Sequence, residues 1–188
     1  MPITTLKNKT SGRKLLAGNI TDSLQSAFVS IATPTISGSA NFIDFTDIPQ
    51  TFQHLQIRFS ILANATNADV TLTFNGVSSA GSYTYHELRG TGTDTSATGN
   101  GSTTFMYAAT NATSGTYPAV GIVDIFDYAN DNKITTIRSL SGKDENGGGT
   151  LQILSGMNKV TTAVTSIRVD CGATIDTKSK IALYGIRG

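Results

Sequence analysis

His54-Leu55-Gln56-Ile57-Arg58-Phe59-Ser60-Ile61-Leu62 reads as a β-strand with one wet face and one dry face. Apolar residues fall at every second position, and a strand sends alternate side chains to opposite sides. A helix would need them three and four apart. Leu55, Ile57, Phe59 and Ile61 are therefore expected to face a core, with His54, Gln56, Arg58 and Ser60 facing outward.

The same period recurs on both sides. Runs at 27–33, 40–45, 70–74, 83–89, 104–108, 119–128, 133–140, 150–155, 163–171 and 180–187 read as strands, eleven in all with the first. Turn chemistry separates them: Pro34 and Ser37-Gly38-Ser39, then Asn75-Gly76, a hairpin signal. The polar run 90–103 holds nothing that could fill a packed position and is expected to be a long loop. No strand alternates with a long amphipathic helix, which argues against βαβ units, and no internal repeat suggests a propeller. Composition agrees, since Thr, Ser, Gly, Ala and Asn are common and Lys and Glu are few. The expected fold is all-β, a single antiparallel β-sandwich of jelly-roll type.

At 188 residues the chain fits one domain, 27–188, preceded by an arm, 1–26, of different character. Lys7, Lys9, Arg13 and Lys14 lie in the arm, and no acid precedes Asp22. The arm reads either as a solvated terminus or as an extended segment that orders against a partner.

Charged residues make up 14% of the chain and the formal net charge is +1. Neither a strongly basic nucleic-acid binder nor an acidic tail fits that balance, and partners must be held by shape and short-range contact. No apolar stretch is long enough for a membrane span, and no signal peptide is visible. Cys171 has no second cysteine to pair with and alternates with Ile167 and Val169, as a small buried residue would. Asp124, Asp127 and Asp131 lack the spacing and the glycine of a calcium loop and read as strand-end turn formers. No nucleophile elbow, zinc-binding helix or phosphate loop occurs, and two histidines provide poorly for acid–base chemistry. The expectation is a non-enzyme without cofactors. Tyr83, Tyr85, His86 and Arg89 could form a receptor surface, because aromatic faces and a guanidinium suit sugars. Tyr83 and Tyr85 at alternate positions also read simply as core.

Three segments carry a family resemblance. They are Ile48-Pro49-Gln50-Thr51-Phe52-Gln53-His54-Leu55-Gln56-Ile57-Arg58, Tyr83-Thr84-Tyr85-His86-Glu87-Leu88-Arg89-Gly90 and Ile181-Ala182-Leu183-Tyr184-Gly185-Ile186-Arg187-Gly188. Together with Val123-Asp124-Ile125-Phe126-Asp127-Tyr128-Ala129-Asn130 and Thr136-Ile137-Arg138-Ser139-Leu140-Ser141-Gly142, the stretch from about residue 45 onward resembles a group of tailed-bacteriophage virion structural proteins. The resemblance implies a sandwich displayed on a virion assembled in the host cytoplasm, commonly a homotrimer, with no catalytic residues. Its partners would be other virion proteins, either the major capsid protein or a tail component. Two roles compete: a capsid decoration (cement) protein, or a tail fibre or appendage tip that binds a host receptor. No long shaft precedes the sandwich, which favours decoration. A lectin-like module outside virions is a third reading.

Overall fold

The computed structural model describes residues 27–37, 40–110 and 114–188, and these form twelve strands and no helix. The basic arm with Lys7, Lys9, Arg13 and Lys14 lies outside the described residues.

Eight strands are wound as one long folded hairpin. β1 (Phe28–Ala32) pairs with β12 (Lys180–Ile186), and β2 (Phe42–Phe45) pairs with β11 (Ile167–Asp170). β3 (His54–Ile61) pairs with β8 (Ala119–Phe126), and β4 (Val70–Phe74) pairs with β7 (Met106–Ala109). Every pairing is antiparallel. The β12–β3 and β11–β4 ladders close the winding into two sheets, β1-β12-β3-β8 and β2-β11-β4-β7. First with last and second with second-last is the connectivity of a jelly roll. The architecture is the expected one.

The core lies between the sheets. Leu55, Ile57 and Ile61 of β3 are fully buried and Phe59 nearly so, as alternation requires. Phe74, Leu72 and Val70 of β4 and Ile167 and Val169 of β11 meet them from the small sheet. Each such side chain contributes about 1.5–3 kcal/mol relative to solvent exposure.

Four further strands form two hairpins: β5 (Tyr83–Gly90) with β6 (Thr95–Thr103), and β9 (Thr135–Asp144) with β10 (Gly149–Asn158). β9 joins β8, and β10 joins β5, so the large sheet grows to eight strands, β1-β12-β3-β8-β9-β10-β5-β6.

Two sequence expectations are corrected here. The polar run 90–103 is mostly strand β6, not a long loop, although nearly all its side chains are exposed. Backbone bonds to β5 need no buried side chain, and threonine suits an extended backbone. Asn75 and Gly76 do form a tight turn, with φ of 51° and 68° and Val77 N donating to Phe74 O at 2.9 Å. It is not a hairpin: β4 pairs with β11 and β7, and the chain leaves the turn for β5 in the other sheet.

Candidate interaction surface

The two inserted hairpins reverse the usual polarity of a sheet. An antiparallel sheet with one solvated face normally turns its apolar residues inward and its polar residues out. On β9 the inward residues are Thr135, Ile137, Ser139, Ser141 and Lys143, all buried. On β10 they include Gln152 and Asn158, and on β5 Glu87.

For Ser139, Gln152 and Glu87 the cause is the segment beneath, β7 and Thr110. β7 is an edge of the small sheet, so its outer backbone groups need partners from elsewhere. Ser139 Oγ donates to Ala108 O at 2.5 Å. Gln152 accepts from Thr110 N at 2.8 Å through Oε1 and donates to Thr110 O through Nε2. Thr110 Oγ1 donates to Glu87 at 2.5 Å. Lys143, almost wholly buried, reaches Asn67 Oδ1 at 3.2 Å and Glu145 at 3.0 Å. Burial, reinforced by the Glu87 and Asp69 carboxylates, holds the Tyr85 hydroxyl above its ordinary pKa, and the same groups act on Tyr107. The two rings meet edge to face with centroids 4.7 Å apart.

With polar residues inside, the opposite face of these strands is apolar. Ile122, Leu140, Ile153, Leu88 and Ala97 are successive cross-strand partners, forming one row over β8, β9, β10, β5 and β6. The next row is Val120, Gly142, Leu151, Gly90 and Thr95. The six large aliphatic side chains among these are between 40% and 63% exposed. On the other flank run Asp124, Arg138, Ser155, His86 and Gly99. Toward β1 the surface changes character, with Arg58 lying over the rings of Phe28 and Tyr184.

The residues considered for a receptor surface are not brought together. Alternation along β5 puts His86 on the exposed outer face and Tyr83, Tyr85 and Arg89 on the inner one. Tyr83 is fully buried, its hydroxyl accepting from Phe74 N and donating to Val77 O, each at 2.9 Å. The acidic run is dispersed as well. Asp124 accepts from Gln56 on the outer face at 2.7 Å, whereas Asp127 sits in a left-handed turn beside Lys133 and His54. The hydrogen bond from Lys133 holds the Asp127 carboxyl below its usual pKa. Among the described residues no three His, Cys, Asp or Glu side chains are gathered to hold a metal.

A concavity of about 400 Å³ lies on the outer face of the small sheet, beside Asp44, Thr73, Ser166 and Arg168. Its one cation is already engaged: Arg168 makes two 2.8 Å bonds to Asp44 and lies 3.8 Å from the Phe42 ring centroid.

The apolar rows could not be found by composition. The signal was the register, since 150–155 alternates as a strand should without declaring which side is covered.

No protein-family model and no curated protein matches the chain. Among solved structures it is similar to a protein of unknown function from Shewanella oneidensis MR-1, at 10% identity and a TM-score of 0.21, over 86% of this chain and 76% of that one. A likeness at that level carries no argument about fold or role.

Proposed function

We propose that the chain is a non-catalytic structural component of a tailed-bacteriophage particle, working as a capsid decoration protein that binds the head surface and neighbouring subunits. The observation that carries the assembly part of this reading is the apolar outer face of β8, β9, β10 and β5. Six aliphatic side chains in register make a patch at the upper end of what a single chain usually leaves in water, and a patch of that size is often functional. The phage assignment is supported by the sequence resemblance from about residue 45 to Gly188. The low net charge fits partners chosen by shape.

Cryo-electron microscopy of the particle is the test. Density for the sandwich on the head, together with heads that lose resistance to heat or osmotic shock when the protein is absent, is the expected result. Density on the tail, with robust heads and failed adsorption to the host, replaces this reading with the tail-tip one. The exposed β5–β6 hairpin, with threonine, serine and asparagine displayed along β6, is the feature that favours that alternative. Binding to a glycan array by protein that is absent from the particle would point instead to a free lectin-like module.

A further inference from the structure

We propose that the outer face of β8, β9, β10 and β5 is the contact surface between copies of this chain, and that its occupant is a second copy. This deepens the structural-component reading and rests on it for the premise that the face is covered in the working state.

The area is right for self-association. Ile122, Leu140, Ile153, Leu88, Val120 and Leu151 together leave on the order of 500 Å² of apolar surface in water, at the upper end of what a single chain usually exposes in one patch. A standard interface buries about 800 Å² per partner, and homodimer interfaces are about 65% apolar, which also comes to roughly 500 Å². One copy of this face supplies the apolar centre that such an interface needs.

Its charge pattern does not oppose a second copy. The two apolar rows contain no ionisable residue. The flanking row mixes signs: Asp124 lies directly opposite Arg138, and His86 lies two strands further on. A second copy therefore meets no single-sign rim that would repel it. The whole chain, at +1, adds little repulsion between copies.

The relief is complementary. Ile122, Leu140, Ile153 and Leu88 make an unbroken ridge. Beside it Gly142 and Gly90 interrupt Val120 and Leu151, opening a depression of about 430 Å³ that these four residues help to line. A ridge next to a dented row lets a second copy interdigitate, as inner faces do in sheet-on-sheet packing.

Sedimentation equilibrium of the full chain across roughly 1–100 μM tests the proposal. The expected result is a mass of two or more times 19.7 kDa, and a Leu140→Lys/Ile153→Lys double variant that sediments as the monomer, its association weakened roughly 100-fold or more. Circular dichroism and thermal melting establish that the variant is folded. Should the lysine pair prevent folding, Leu140→Thr/Ile153→Thr keeps strand propensity, removes the apolar ridge and gives the same reading. A wild-type chain that stays monomeric to 100 μM overturns the proposal, and so does a folded variant that still associates, which would move the contact to another surface such as the β6 edge. Because this measurement uses the isolated chain, it is separable from the particle experiment. Self-association lost in the variant, with no density on any virion, leaves the contact surface standing and removes the virion role.

Discussion

One side-chain oxygen of Asn75 holds both the backbone nitrogen and the hydroxyl of Thr165, at 2.8 and 3.2 Å. The same oxygen accepts from Ser166 N at 3.1 Å, and the Asn75 amide donates to Ala163 O at 2.8 Å. Ninety residues of chain separate the two positions. Asn75 thus latches the end of β4 to the segment entering β11, while its own backbone takes the left-handed conformation that the turn requires.

Replacing Asn75 separates these two roles. Asn75→Gly keeps the left-handed backbone and loses the latch, and is expected to cost about 1–3 kcal/mol through unpaired groups at Ala163, Thr165 and Ser166. Asn75→Ala loses the latch and adds backbone strain of about 1 kcal/mol. Urea denaturation of the two variants measures the difference, and equal stability would mean that the turn conformation is not strained.

Tyr83→Phe is expected to destabilise the fold by about 1–3 kcal/mol, because the buried Phe74 N–H loses its acceptor. Binding to any partner at neutral pH should be unchanged at temperatures where the variant is folded, since the ring lies wholly inside the sandwich. Thermal melting and a binding assay on the same preparation check both halves.

Cys171 lies fully buried, and burial pushes its thiol up to about 12. A disulfide-forming thiol reagent should leave the native protein unlabelled at pH 8 and label it fully in denaturant. The same burial raises the Tyr83 and Tyr128 hydroxyls. For these groups the native state favours the protonated form more than the unfolded chain does. Their contribution is complete below the unfolded values of about 9 for the thiol and 10 for the phenols, and is lost as pH rises through the folded ones. Unfolding free energy measured from pH 8 to 11 should fall, and a flat profile would contradict the assignment.

At the acid end the Asp44–Arg168 pair acts in the opposite sense. The hydrogen bond from Arg168 holds the Asp44 carboxyl below its ordinary value. That contribution is present above the unfolded carboxylate pKa and is lost as pH falls through the folded one. Both side chains are more than a third exposed, so Arg168→Lys, which removes the paired bonds and the stacking on Phe42, should cost no more than about 1 kcal/mol. Its effect should shrink further in 1 M salt, which chemical denaturation at two ionic strengths will show.

Alternation made the strands legible and left their partners open. Each of the eleven runs read from the sequence overlaps a strand, although 163–171 is strand only over Ile167–Asp170, and the inward set on β3 is the observed one. β6 was missed because its residues, from Thr95 to Thr103, bury almost nothing and depend on the β5 ladder for their extended form. The Asn75-Gly76 turn was read correctly as a turn and wrongly as a hairpin. Local φ preferences set a reversal of direction, but whether the next strand returns to the same sheet depends on the pairs available to it. Tyr83, Tyr85, His86 and Arg89 looked like one surface only while the chain was a line of letters; in a strand, neighbours in sequence point apart.

By itself, then, the sequence determined the fold class, the rough positions of every strand but β6 and the burial of residues such as Ile57 and Cys171, because a period of two and the cost of wetting apolar side chains are local facts. Only the tertiary structure decided which side of β9 and β10 meets solvent. A repeat of two says that the faces differ and not which one is covered. The edge strand β7 and the residue after it supply the missing information: Ser139 turns inward to Ala108 O and Gln152 to the backbone of Thr110, which leaves Leu140 and Ile153 in water.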